Sequence, residues 1–385
     1  MKVMVIGGGG REHAIIKKLK ESKEITELCV LPGNGGIAED AVCVNIGATD
    51  IAAQVKFAIE NKIDYAVVAP DDPLCLGAVD ELTKAGIPCF GPDKKAAIIE
   101  GSKVFSKNLM KKYGIPSAAY EVFDNPESAL SYLETAPLPA VIKADGLALG
   151  KGVIIAETRE DAKRAVRDIM EDKVFGKSGE KIVIEEFLTG PEVSVLSFTD
   201  GETVVPMVSS MDHKRALDGD KGLNTGGMGN FSPSPFYTKE VDDFCQKYVY
   251  QPTVDAMKAE GRPFKGVIFF GLMLTPKGPR VLEYNARFGD PEAQVVLPRM
   301  KNDIIDVFEA CIDGTLDKID LQFEDNACVC VVLASDGYPL SYEKGFEITG
   351  MDKFHDDEGY FLFHAGTKFN EEGKVVTNGG RVLGV

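Results

Sequence analysis

Residues 141–156 read VIKADGLALGKGVIIA, two apolar strand-like runs joined by a loop with glycines at 146, 150 and 152. A P-loop would place four residues between its glycines, then Lys-Ser/Thr and a helix. Here three residues separate Gly146 from Gly150, Lys151 is followed by Gly152, and a second strand follows. Strand, glycine loop and strand make a hairpin lid, whose amides and Lys151 can fold over the phosphates of a nucleotide and exclude water. Lys143 ends an apolar strand beside Val141, Ile142 and Ala144, a costly place for a cation without an anionic partner. A lysine that runs its stem out to solvent is the plain alternative.

Upstream, residues 2–95 alternate short apolar runs (KVMVIG, ELCVLPG, YAVVAP, IPCFGP) with amphipathic stretches. This is the βαβ rhythm of a doubly wound parallel sheet. GGGG at 7–10 follows the first strand and opens a helix, so its amides form a candidate anion site. A dinucleotide fingerprint would need a third glycine where Glu12 stands and an acidic residue where Pro32, Gly33 and Asn34 stand. What remains is a phosphate cradle, joined by PGNGG at 32–36; tight turns alone would use the same glycines. Pro92 and Asp93 then open one helical segment, which ends at Gly114 with Pro116 beyond it.

Downstream, residues 115–190 predict a small α+β lobe. In KIVIEEFLTGPEVSV, Glu185 and Glu186 end an apolar strand. A free backbone edge by Phe187 and Leu188 suits an adenine, and Glu192 suits ribose hydroxyls. In RVLEYNARFGDPE (280–292), period 2 puts Leu282, Tyr284 and Ala286 on one face and Glu283, Asn285 and Arg287 on the other. A carboxylate and an amide oxygen two residues apart suit Mg²⁺, which takes few protein ligands besides phosphate and water. Arg287 projects beside them, placed to neutralise a phosphoryl group in transit. The segment Asp212–Pro235 reads as a long polar loop, with both signs of charge at Asp212, His213, Lys214 and Arg215 and a glycine-rich turn at 224–229.

The chain has 385 residues, 60 Asp+Glu and 43 Lys+Arg, for a net charge of −17. That deficit argues against nucleic acid or anionic membrane as a partner, since both reward surplus cations. No apolar run is long enough to span a bilayer, and the N-terminus reads as a buried strand rather than a signal peptide. Eight cysteines without CxxC pairs read as reduced core residues of a cytoplasmic protein. Four histidines without metal spacing argue against a His/Cys metal centre.

Taken in order, GGGGREH, PGNGG, EGSKVFSK, VIKADGLALGKGV, VIEEFLTGPEVS, DHKRALDGDKGLNTGGMG and EYNARFGDPE resemble the phosphoribosylamine-glycine ligase (glycinamide ribonucleotide synthetase) family of the ATP-grasp superfamily, across essentially the whole chain. The resemblance implies an α/β protein: an N-terminal doubly wound parallel sheet (1–100), a central two-lobed ATP-grasp α+β domain (101–311, lid lobe about 117–188) and a small C-terminal mixed α/β domain (312–385). It implies ATP-dependent condensation of glycine with 5-phosphoribosylamine through a glycyl phosphate, giving glycinamide ribonucleotide, ADP and phosphate in purine biosynthesis. ATP would be held by Lys103, Lys143, Gly150, Lys151, Gly152, Glu185, Glu186, Phe187, Leu188 and Glu192, and Mg²⁺ or Mn²⁺ by Glu283 and Asn285. Arg287 and Lys143 would be catalytic. Substrates would meet Gly9, Gly10, Asn34, Asp212, Lys214, Arg215, Thr225, Gly226, Gly227, Arg287 and Asp290, in a cytoplasmic monomer or dimer.

Three departures accompany it. Asp71 and Asp72 stand where the family has Pro-Glu, and Leu223 where it usually has Pro. The chain stops at GGRVLGV, which predicts a truncated C-terminal domain. Rival readings are another ATP-grasp carboxylate-amine ligase or purine-pathway carboxylase, and a nucleotide-binding protein without catalysis.

Overall fold

The computed structural model describes residues 1–147, 152–219, 221–354 and 356–385. Strands β1 (Lys2–Gly7), β2 (Glu27–Pro32), β3 (Val42–Cys43), β4 (Tyr65–Val68) and β5 (Cys89–Phe90) form a parallel sheet in the order β3-β2-β1-β4-β5. Val3, Met4, Val5 and Ile6 are all fully buried, as a strand covered on both faces requires. The strand order reverses between β1 and β4, and open α/β sheets take ligands at the carboxyl ends of such strands. Gly7–Gly10 lie there.

The expected single helix after Asp93 is two, Lys94–Gly101 and Lys103–Tyr113. Ser102 is extended between them and caps the second, accepting from Phe105 N at 3.0 Å. The break has a long-range cause: Asp145, in the loop after β7, accepts from Ser102 Oγ and Val104 N, both at 2.8 Å. The lid lobe is an antiparallel sheet of β6 (Tyr120–Phe123), β7 (Ala140–Ala144), β8 (Val153–Ala156) and β9 (Ile182–Glu186), ordered β6-β9-β7-β8. The helices Pro126–Leu133 and Arg159–Val166 bury Leu133, Ala162 and Val166 against its Ile142 and Ile184.

The next strands are β10 (Glu192–Asp200), β11 (Val204–Pro206), β12 (Met211–Asp212), β13 (Arg215–Leu217), β14 (Lys221–Asn224), β15 (Gly229–Ser232), β16 (Lys265–Thr275) and β17 (Gly278–Asn285). Four of them build the antiparallel sheet β11-β10-β16-β17. The stretch read as a loop is therefore largely β: β13 and β14 form a hairpin, and β12 and β15 enter another sheet. That sheet, β12-β15-β18-β22-β19, includes β18 (Cys328–Ala334), β19 (Phe363–His364) and, after the hairpin of β20 (Thr367–Phe369) and β21 (Val375–Thr377), β22 (Arg381–Gly384). The C-terminal strands thus extend a sheet begun by the polar segment.

β17 departs from strict alternation. Glu283 pairs with Gly271 and Val281 with Leu272, so Leu282 is a bulge. Val281, Tyr284 and Ala286 face the core, while Leu282 is only half-buried. Glu283 and Asn285 keep their common face, and Arg287 follows just beyond the end of the strand.

Phe90 of the parallel sheet stacks on Phe308 of the helix Ile304–Asp313 with centroids 3.8 Å apart, and Phe198 and Phe288 complete the aromatic cluster. Phe308→Ala is expected to cost about 3–5 kcal/mol of stability, because the cavity would open between elements that cannot collapse independently. A urea-unfolding midpoint within error of the wild type would exclude this cluster as the joint between the two sheets.

Candidate active site

The first glycine turn is tightly closed. Glu12, in the first turn of the helix Gly10–Leu19, accepts from Gly9 N at 2.6 Å and holds Arg11 Nε at 2.7 Å. A carboxylate stands where a dinucleotide fold needs glycine, and it has already taken the Gly9 amide. Gly8 approaches the second turn so closely that a Cβ would lie 2.5 Å from the Gly33 carbonyl oxygen. Asn34 joins the two turns to β19 by donating from Nδ2 to the carbonyls of Gly8 (2.9 Å) and His364 (2.8 Å).

Lys143 leaves β7 buried and meets Glu185 of β9 at 3.0 Å; it also donates to the Leu282 carbonyl at 3.2 Å, which the bulge has turned out of the ladder. Glu185 binds a second buried cation, Lys107, at 2.9 Å. Burial pushes the Lys107 ammonium down to about 8, against the opposing pull of Glu185. Sequence reading missed Lys107 because SKNLMKKY looks like the solvent face of a helix. Lys103 begins that helix and donates to the Gly146 carbonyl at 3.2 Å; burial lowers its pKa, with Glu283 opposing. Gly152 accepts from Ala144 N at 2.9 Å across the hairpin. Gly150 and Lys151 lie outside the described residues.

β9 ends at Glu186, whose Oε1 accepts from Ala119 N at 2.9 Å, so the backbone of Phe187 and Leu188 runs on beyond the ladder. Glu192 opens β10 and holds Lys214, which also lies 3.7 Å from Glu283. Burial opposes the charge on Lys214, but Glu192, Glu283 and Asp212 hold its pKa well above the ordinary value. Burial alone would raise Glu283; Lys214, Lys143, Lys103 and Arg287 together bring it below the usual range. Glu283 is thus kept as a carboxylate on the face it shares with Asn285. The Asn285 amide nitrogen donates to the Tyr284 carbonyl at 2.8 Å, leaving its oxygen as the donor for a ligand. One carboxylate and one amide oxygen fit a hard divalent cation that takes its remaining ligands from phosphate and water.

Arg287 is held at its other end. Its Nη2 meets Glu100 at 2.8 Å and Asp71 at 3.9 Å, and Glu100 also accepts from Ala286 N at 2.7 Å. Glu100 is buried, which raises its carboxyl pKa, while Arg287 pulls the other way. Asp71, expected from the sequence to depart from the family's Pro-Glu, therefore faces the arginine. Glu100 was another residue that sequence reading passed over.

At the start of the polar segment, burial and then Glu292 push Asp212 well above the ordinary carboxylate range. Its Oδ1 is buried without a hydrogen-bond partner, and it crowds Gly227, whose φ of +114° suits only glycine. Thr225 accepts from Gly227 N at 3.0 Å and donates to the Lys214 carbonyl at 2.9 Å. Asp290 receives Gln294 Nε2 at 2.8 Å and stands beside Gly9 and Gly10. Arg215 is not drawn in; its guanidinium donates to Gly222 within its own hairpin at 2.8 Å.

Models of the phosphoribosylglycinamide synthetase N domain, ATP-grasp (A) domain and C domain match residues 1–100, 101–293 and 328–385. The chain is 48% identical over 385 residues to phosphoribosylamine--glycine ligase of Caldanaerobacter subterraneus subsp. tengcongensis, covering all of this chain and 91% of that protein. It is also 48% identical to the human trifunctional purine biosynthetic protein adenosine-3, of which it covers 38%. Among solved structures, phosphoribosylamine--glycine ligase of Thermotoga maritima superposes with a TM-score of 0.84 at 33% identity, covering all of this chain and 91% of that one. The biotin carboxylase domain of Hydrogenobacter thermophilus 2-oxoglutarate carboxylase shares the fold, with a TM-score of 0.73 at 17% identity over 98% of this chain and 86% of that one.

Lys107 binds a proton less readily when folded (about 8) than at its ordinary 10.5. Between those values the unfolded chain holds more protons, so this group's contribution to stability rises with pH. Lys107→Met is expected to remove that rise, read as the difference in denaturant midpoints at pH 7.5 and 10 between variant and wild type. Identical pH slopes in the two proteins would contradict it. Glu185→Gln should cost about 3–5 kcal/mol at pH 7, since two buried ammoniums would lose their shared anion.

Proposed function

The chain belongs to the phosphoribosylglycinamide synthetase family, and from that premise we infer an ATP-dependent ligase that joins glycine to 5-phosphoribosylamine, giving glycinamide ribonucleotide, ADP and phosphate in purine biosynthesis. The observation that carries this is the full-length identity of 48% combined with the Glu283 carboxylate of β17, which lies among the charges of Lys103, Lys143, Lys214 and Arg287. As an ATP-grasp ligase it uses ATP and a divalent cation. Glu283 and Asn285 would hold that cation, taken here as Mg²⁺ with Mn²⁺ as substitute; when bound, it supplies positive charge against the nucleotide phosphates.

The chemistry asks mainly for positioning and charge neutralisation. The glycine carboxylate attacks the γ-phosphorus and ADP leaves, forming an acyl phosphate. The sugar amine then attacks the acyl carbon, expelling phosphate and losing a proton. Lys103 and Lys143 neutralise the nucleotide phosphates. The backbone after β9 receives adenine, and Glu192 receives the ribose. Arg287, fixed by Glu100, faces the phosphoryl in flight and then the acyl phosphate. Glycine lies near Asp212 and Arg287, and the sugar phosphate lies against Gly10 and the 224–229 turn. The matched ranges meet at residues 100 and 101, which supports a division there; they leave 294–327 unmatched, and the helix Ile304–Asp313 runs across the second expected boundary at 311. All eight cysteines are free thiols, which supports a cytoplasmic setting. Among the described residues, no helix is long and apolar enough to cross a membrane.

ADP release in the presence of Mg²⁺ should require glycine and phosphoribosylamine together; equal release with bicarbonate in place of glycine would overturn the ligase assignment. Arg287→Ala should still bind ATP, as followed by calorimetry, yet lose turnover by roughly two to three powers of ten, the scale of a lost charge-stabilising donor. Near-normal turnover would remove Arg287 from the chemistry.

A further inference from the structure

β22 carries Arg381 back to the substrate side of the site. Its Nη1 donates to the carbonyls of Gly226 (2.7 Å) and Asp290 (2.8 Å), and its Nη2 lies 3.4 Å from Asp290 Oδ2. Gly226 is gripped from a second direction: its N–H donates to Tyr338 Oη at 3.1 Å. Both backbone polar groups of one glycine are therefore taken by side chains from the C-terminal stretch. The fit is close, since a Cβ on Gly226 would lie 3.0 Å from Arg381 Cζ. Asp290 extends the arrangement toward the first glycine turn, standing beside Gly9 and Gly10.

Two physical needs meet at this point. A Thr-Gly-Gly turn has many backbone states, and any left open must be frozen when a ligand arrives, at a cost in affinity. An ionised Asp290 beside a phosphate cradle would repel the phosphate unless a cation neutralises it.

We propose that Arg381 and Tyr338 are positioning residues for the phosphate-bearing sugar substrate: together they fix the Gly226 turn, and Arg381 also neutralises Asp290, without entering phosphoryl transfer. This rests on the reading that the 224–229 turn and the first glycine turn receive phosphoribosylamine.

The test is steady-state kinetics of the full chain, with KM measured separately for ATP, glycine and phosphoribosylamine. Arg381→Met should raise KM for phosphoribosylamine about tenfold or more, the scale of a lost charged hydrogen bond, with kcat and KM for ATP within about twofold of wild type. Arg381→Lys should recover part of that loss. Tyr338→Phe removes one hydroxyl and no charge, and should raise the same KM by about threefold. An unchanged KM for phosphoribosylamine in both Arg381→Met and Tyr338→Phe, or an equal rise in KM for ATP, would overturn the proposal. Gly227→Ala separates this from the reading beneath it. If Gly227→Ala raises KM for phosphoribosylamine while the Arg381 and Tyr338 variants do not, the clamp alone is wrong; if Gly227→Ala also leaves that KM unchanged, the turn is not a substrate subsite.

Discussion

Glu185 takes Lys107 on one carboxylate oxygen and Lys143 on the other, and this buried triad ties the helix Lys103–Tyr113, β7 and β9 into one unit. Two cations around one anion leave a net positive charge under the lid hairpin. Neither lysine could be buried alone at acceptable cost, and Glu185 could not be buried without them. The same device recurs around the site: Glu100 holds Arg287, Glu192 holds Lys214, Asp290 meets Arg381 and Glu12 holds Arg11. Each cation is oriented before a ligand arrives, so little reorganisation is left for the moment of reaction. A chain with net charge −17 can in this way present positive charge locally, with its carboxylates set as supports.

What could be read in advance follows physical range. The parallel sheet, the lid hairpin and the shared face of Glu283 and Asn285 rest on local alternation and on glycine placement, which neighbouring residues carry. The break at Ser102 depends on Asp145, forty-three positions away, and nothing in EGSKVF announces it. The bulge at Leu282 depends on how β17 registers against Gly271. Glu100 and Lys107 looked like ordinary helix residues because their partners sit on distant strands. The polar segment hid its strands because they are two to four residues long and are stabilised by pairing with β18 and with each other.

The bulge and the triad are linked. Displacing Leu282 from the ladder frees its carbonyl to accept from Lys143, so the strand that carries Glu283 and Asn285 also helps seat that lysine. The lid lobe and the β10–β16–β17 sheet meet through this ammonium and through the backbone bridge of Ser117 to Val281. Asp71 adds a second, more distant carboxylate on the Arg287 side, at 3.9 Å.

The sheet β12-β15-β18-β22-β19 mixes strands made early with strands made late. On the ribosome, β12 and β15 can pair with each other as soon as they emerge, but the other edge of β15 stays open until β18 is made. The turn at Gly226 is not fixed at that stage, because Arg381 and Tyr338 are synthesised afterwards. The freedom of that turn is therefore kept through most of synthesis and lost only when β22 pairs with β18.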